Sequence, residues 1–255
     1  MEAVQDISSV LSTGNLIILE STCPPGTSKN ILKLLESLRP DLIMPNNKSQ
    51  KPDIHFAYCP ERVMPGNILH EIIHNDRVIG GATPKCSELA KQFYETISYG
   101  ECIISSSPEI AELSKLAENS FRDVNIAFAN ELSMLCDKLS VNVWELIKLA
   151  NRHPRVEILK PGPGVGGHCI AVDPWFLING NEDITKLIKT ARIQNKAKTQ
   201  HVLETIEREI NQLRVSQSGA RLNIAILGLT FKPDIDDIRE SPALEIAFNL
   251  CHRIK

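Results

Sequence analysis

The 255-residue sequence has no excess of basic charge, no long apolar run and no paired cysteines. The formal net charge is -3, with acids and bases well mixed. That excludes the basic surface a nucleic-acid partner requires. No apolar stretch is long enough to cross a bilayer, so no membrane span is expected. The opening residues Met1-Glu2-Ala3-Val4-Gln5-Asp6 lack a basic region followed by an apolar one. No signal peptide is expected there, and the expected location is cytoplasmic. The seven cysteines are scattered and form no CxxC pair. They read as reduced thiols, and no metal site is expected. Nothing before Asn15 supplies the strand, glycine-rich turn and helix that open a dinucleotide-binding domain.

What is present is an α/β pattern. Asn15–Glu20 is an apolar run of strand length, followed by a Pro/Gly turn and an amphipathic helix from Ser28 to Leu38. Such order suits a buried parallel strand feeding a helix. Pro45–Asp53 is a polar loop. Further strands are expected at Ile54–Tyr58, Arg77–Gly80 and Glu101–Ile104, with a helix over Pro84–Ile97. Strands alternating with helices imply a mostly parallel sheet.

From Ser107 the pattern becomes helical. Ser107 can cap, Pro108 fits the first helical position, and Glu109 suits the positive helix end. Apolar spacing continues to Leu139, a helix about 45 Å long. That length suggests a spine or subunit interface. Helices are also expected at Asn142–Asn151 and Asp183–Leu213, with a Pro/Gly-rich loop over Arg152–Ile170. Val215–Arg221 reads as a linker. Asn223–Leu227 is expected to be a strand and Ser241-Pro242 to start a helix, opening a second α/β unit that one strand and one helix cannot complete.

Four places could carry chemistry. The first is Pro161-Gly162-Pro163-Gly164-Val165-Gly166-Gly167-His168-Cys169. Its formal G-x-G-x-x-G is not a phosphate cradle, because no strand precedes it and Pro163 removes an amide. It does present a thiol on a glycine-dense loop, where Cys169 is either a thiolate nucleophile or a structural cysteine. Cys23, Cys59, Cys86, Cys102, Cys136 and Cys251 lack that setting and read as packing or surface residues. Second, Lys115, Asn119 and Arg122 lie at i, i+4 and i+7 on one helical face. They suit an oxygen-rich anion, although a solvated face would look the same. Third, the loop after the second strand carries Glu61 and Arg62, a possible acid/base and anion pair; Ser21 and Thr22 follow the first strand in the same way. Fourth, Phe231-Lys232-Pro233 and Arg239-Glu240-Ser241-Pro242 flank a helix start, which suits phosphate or simply a capped helix.

Glu20-Ser21-Thr22, Cys59-Pro60-Glu61-Arg62, Asn119-Ser120-Phe121-Arg122-Asp123-Val124-Asn125, Arg152-His153-Pro154-Arg155, Gly166-Gly167-His168-Cys169, Phe231-Lys232-Pro233 and Arg239-Glu240-Ser241-Pro242 occur in this order. That series resembles the UDP-glucose/GDP-mannose dehydrogenase family from about Asn15 onward. The His-Pro-Arg segment and Gly-Gly-His-Cys-Ile are similar to the branch that oxidises UDP-N-acetylmannosamine. The UDP-glucose branch typically has Gly-Gly-Ser-Cys-Phe, and Lys before the aspartate where this chain has Val172 before Asp173.

The resemblance implies a partial Rossmann-like sheet over 1–105, a central helical dimerisation region with the cysteine loop over 106–213, and the start of a UDP-binding domain over 214–255. It implies NAD as cofactor and a UDP-sugar as substrate. A C6 alcohol would be oxidised twice to a carboxylate, through a thiohemiacetal and a thioester on Cys169. Lys115, Asn119, Asp173 and Glu61 would assist at the reacting carbon. Arg62, Val63, Arg122, His153, Arg155 and Gly166 would surround the sugar nucleotide, with Phe231, Lys232 and Arg239 in the UDP domain. Ser21, Thr22 and Arg239 would lie near NAD. His153 and Arg155 would serve a neighbouring subunit's site in a homodimer or higher oligomer formed through the central helices. Such a chain, lacking the glycine turn and ribose-binding acid, is expected not to turn over alone. Two rivals remain: a non-catalytic fragment or dimerisation module, and a cysteine hydrolase using His168. The second lacks an orienting third group, and adjacent residues rarely reach nucleophile–base geometry.

Overall fold

The computed structural model describes residues 1–46, 51–63, 67–216 and 222–253. Its chain divides into two compact units, Met1–Ala117 and Glu118–Lys255.

The first unit contains β1 (Leu16–Leu19), β2 (His55–Tyr58), β3 (Arg77–Gly81) and β4 (Cys102–Ile104) in the order β1-β2-β3-β4. β1–β2 and β3–β4 pair in parallel, and β2–β3 is antiparallel. Phe56 on β2 packs with Ile31 and Leu35 of α2 (Thr27–Leu38), together with Leu11, Met44 and Ile54. Ala57, next along the strand, packs with Ala90 and Tyr94 of α4 (Pro84–Glu95). Successive strand residues point to opposite faces, so β2 is covered on both sides, as its apolar run requires. α1 (Glu2–Ser8) and α3 (Ile68–His74) complete the unit. Both are single short helices that sequence periodicity did not reveal.

Helix α5 (Pro108–Leu139) has the expected position and length, and the division between units falls within it. Ser107 accepts from the Ile110 amide at 3.4 Å, the expected cap. Near its start, the fully buried Glu112 accepts from the Gly26 amide at 2.6 Å, the Ser28 amide at 2.8 Å and the Ser28 hydroxyl at 2.6 Å. It thereby replaces the missing side-chain cap of α2, whose N-cap Gly26 has a left-handed φ of 87°.

The second unit continues with α6 (Val143–Ala150), α7 (Asp173–Ile178), α8 (Lys186–Ser216) and α9 (Pro242–Arg253). Asn142 caps α6 through bonds from the Trp144 and Glu145 amides. Leu203 and Ile210 of α8 pack against Ile246 and Leu250 of α9. The expected strand over Asn223–Leu227 does not form. Among the described residues this segment has no pairing neighbour, and Leu227 is 95% exposed. A strand needs a partner to satisfy its backbone, whatever its apolar content. The end of the expected linker, 217–221, and Met64–Gly66 after the Glu61 loop lie outside the described residues.

Candidate active site

The glycine loop is shaped by contacts that only glycine allows. A Cβ on Gly166 would come within 2.6 Å of both the Glu240 carbonyl and Phe231 Cβ. On Gly167, which has φ +81°, it would sit 2.9 Å from the Phe231 ring. The absence of these atoms lets residues 231–240 lie against the loop, where the Gly167 amide donates to the Arg239 carbonyl at 3.0 Å.

Two residues on, the Cys169 carbonyl accepts from the amides of Val172 (3.1 Å) and Asp173 (2.8 Å), turning the chain into α7. The Cys169 side chain is half-buried; among the described cysteines only Cys251 is more exposed, and Cys23, Cys59, Cys86, Cys102 and Cys136 are buried. The Asp173 carboxylate is buried and accepts from the Asn119 amide at 2.6 Å. Thus the Asn119–Asp173 bond lies at the start of α7, which the Cys169 carbonyl joins through the Asp173 backbone amide. Asn119 is turned inward on α5, whereas Arg122 is exposed and Lys115 half-buried.

One participant was not anticipated. Asp237 binds the Arg239 guanidinium through both carboxylate oxygens, at 2.6 and 2.9 Å, and lies 3.9 Å from His168 Nδ1. Arg239 holds the Asp237 carboxyl down to about 2, with a smaller contribution from His168. In turn Asp237 raises the Arg239 guanidinium, and the Cys169 sulfur adds to that shift. Arg239 is thus an exposed cation on the segment that lies against the Cys169 loop. Ser241 caps α9 through the Leu244 amide. Phe231 and Lys232 are half-buried beside the glycine loop and on the turn after it. His153 and Arg155 are exposed on the loop after α6.

In the first unit, Glu61 accepts from the Arg62 amide at 2.6 Å and pairs with Arg77 at 3.8 Å. Arg77 is buried and lies 4.5 Å over the Tyr94 ring, and the Tyr94 hydroxyl donates to Glu20 at 2.6 Å. Burial, then the Glu20 bond, push the Tyr94 phenol well above its usual range. The half-buried Glu61, Arg62 and Val63 follow β2, and Ser21 and Thr22 follow β1. Since β1 and β2 run parallel, these loops share one sheet edge, where ligands bind in such folds. Ser21 is exposed and Thr22 half-exposed. Both present hydroxyls at that edge, and residues 1–98 contain no G-x-G-x-x-G turn for a dinucleotide pyrophosphate.

His70-Glu71-Ile72-Ile73-His74 on α3 has the spacing of a zinc-protease helix, which the sequence reading passed over. The two imidazoles stack 4.2 Å apart with 17° between planes. Their in-plane lone pairs run side by side rather than converging, and Glu71 is turned inward, close to the amides of Asn67 and Asn75. No group of three or more metal-type ligands occurs among the described residues.

Residues 1–98, 109–197 and 225–253 match the NAD-binding, central and UDP-binding domains of the UDP-glucose/GDP-mannose dehydrogenase family. The chain belongs to that family. It is 55% identical over 97% of its length to a UDP-N-acetyl-D-mannosamine dehydrogenase of Campylobacter jejuni, spanning 59% of that protein. It is 53% identical over 96% of its length to an NDP-N-acetyl-D-galactosaminuronic acid dehydrogenase of Ralstonia nicotianae, spanning 56% of it. The structure of a UDP-D-ManNAc dehydrogenase from Pyrococcus horikoshii superposes with a TM-score of 0.86 at 38% identity, covering all of this chain and 58% of that one. The chain thus spans less than two thirds of the length of these relatives. NAD is the cofactor of the domain matched by residues 1–98.

Proposed function

We propose that this chain forms the substrate-oxidising part of an NAD-dependent UDP-sugar dehydrogenase that converts UDP-N-acetyl-D-mannosamine to the uronate for surface polysaccharide synthesis. The observation that carries the reading is a half-buried Cys169 on a glycine loop that residues 231–240 cover, four residues before an Asp173 carboxylate held by Asn119.

NAD, when bound, accepts the hydrides that the two oxidation stages release. The protein's own contribution is covalent and electrostatic. The Cys169 thiolate adds to the C6 aldehyde carbon, forming a C–S bond and leaving the negative charge on oxygen. Lys115 offsets that charge, and Asn119 orients the oxygen. Once the carbon is at thioester level, water attacks it, the C–S bond breaks, and the electron pair returns to sulfur. Asp173 and Glu61 position that water and take up its proton. Arg62, Val63, Arg122 and Gly166 bind the sugar diphosphate, Phe231, Lys232 and Arg239 the UDP, and Ser21 and Thr22 the cofactor.

Self-association through α5 fits an exposed stripe at seven-residue spacing: Phe121 at 70%, Phe128 at 51% and Leu135 at 49% exposure. In that assembly His153 and Arg155 reach a neighbour's site. The similarity to a galactosaminuronate-type dehydrogenase makes the N-acetyl sugar the feature to test.

The test is to alkylate the chain with iodoacetamide, with and without the 6-aldehyde of UDP-N-acetylmannosamine, and to map each cysteine by peptide mass spectrometry. The thiohemiacetal forms and reverses without NAD, so the aldehyde should slow alkylation of the thiol it occupies. Protection of Cys169, with exposed Cys251 unprotected, supports the assignment. Protection confined to other cysteines overturns it.

A further inference from the structure

Between α5 and α8 the second unit buries a polar cluster that the reaction does not use directly. The Arg192 Nη1 donates to Asp123 Oδ1 at 2.7 Å and also to the Ile170 carbonyl at 3.0 Å. Asn195 donates to Asp123 Oδ1 at 2.7 Å and to the Asp123 carbonyl at 3.0 Å. It accepts from Asn130 at 2.9 Å, and the Asn130 oxygen accepts from the Gly162 amide at 2.9 Å. All four side chains are at most 7% exposed.

The two ends of this chain of bonds are the informative part. Gly162 begins the glycine loop and Ile170 directly follows Cys169. The cluster therefore grips the loop on both sides of the thiol. A buried ion pair is weak evidence for stability, since a hydrocarbon pair of similar volume often does as well. A hydrocarbon pair could not donate to the Ile170 carbonyl. Glycines inside the loop leave it little rigidity of its own, so its geometry must be imposed from outside.

We propose that Asp123, Asn130, Arg192 and Asn195 are positioning residues that clamp the Cys169 loop at Gly162 and Ile170 and hold it against the Arg239 segment, whose carbonyl accepts from Gly167. The inference rests on Cys169 being the nucleophile. A cation held close to a thiol favours the thiolate. With either end released, the sulfur spends time away from the cation and its nucleophilicity at neutral pH falls.

The test is the rate of iodoacetamide alkylation at each cysteine of the 255-residue chain, resolved by peptide mass spectrometry between pH 7 and 9. Exposed Cys251 is the reference, and buried Cys136 reports unfolding. Asn130→Ala releases the Gly162 end. Arg192→Met alone would strand a buried carboxylate, so the Asp123→Asn/Arg192→Met double variant releases the Ile170 end without that penalty. Lys198→Met is the control: Lys198 donates to Ser133 between the same helices at 2.8 Å without touching the loop. Both clamp variants should slow Cys169 at pH 7 by about threefold or more and move its pH profile upward, with Cys251 and Cys136 unchanged. Lys198→Met should leave Cys169 unchanged. An unchanged or faster Cys169 in both clamp variants, unfolding signalled by Cys136 in both, or equal slowing in Lys198→Met, overturns the clamp. A wild-type Cys169 no faster than Cys251 counts instead against the thiolate reading under Proposed function.

Discussion

The side-chain amide of Asn119 donates to the Asp173 carboxylate at 2.6 Å, both groups buried, from positions 54 residues apart. Replacing the donor by a second acceptor should be costly. Asn119→Asp sets two carboxylates at hydrogen-bond distance in a dry site, and a destabilisation of about 2–4 kcal/mol at neutral pH is expected. The deficit should shrink near pH 4, where the pair can share a proton. Urea unfolding midpoints at both pH values check this. An equal deficit at the two would contradict the electrostatic account.

Gly167 and Gly180 both hold left-handed backbone, with φ of +81° and +78°. A Cβ at Gly180 meets nothing within 4 Å, whereas at Gly167 it meets the Phe231 ring. Alanine at either position should cost about 1 kcal/mol for the backbone alone. Gly167→Ala should cost more than Gly180→Ala, and Phe231→Ala should remove that excess. Thermal midpoints of these three variants and the Gly167→Ala/Phe231→Ala double variant decide it, and equal losses at the two glycines would refute the contact.

Asp123 gives the stability a defined pH dependence. Burial pushes its carboxyl up to about 6, against the opposing pull of Arg192. An unfolded aspartate titrates near 3.9. Between these values the folded chain keeps a proton that the unfolded chain has lost. The stabilisation from this group is therefore full below about pH 4, declines as pH rises to about 6, and is level above that. In urea unfolding, the difference between wild type and Asp123→Asn should fall across this window by on the order of 3 kcal/mol. A constant difference from pH 4 to 7 would show that the carboxyl titrates normally.

How much of this was readable in the amino-acid order depends on how local each cause is. Helix α5 was legible because Ser107, Pro108 and the apolar spacing to Leu139 all act within a few turns. The cysteine loop was legible because its glycines and thiol are contiguous. The clamp was not, since Asp123 meets Arg192 and Asn195 across 69 and 72 residues, and each alone looks like an ordinary polar helix position. Asp237 was hidden between more conspicuous neighbours, although its spacing of two from Arg239 allows the bidentate contact. The segment Asn223–Leu227 failed for the opposite reason. Its composition favours a strand, but pairing depends on a neighbour that composition does not reveal.

Glu112 has a consequence for biosynthesis. The acceptor for the first turn of α2 lies 84 residues downstream of Ser28. During translation the Gly26 and Ser28 amides are left to water until residue 112 has left the ribosome, so the start of α2 gains its buried acceptor only when the start of α5 arrives.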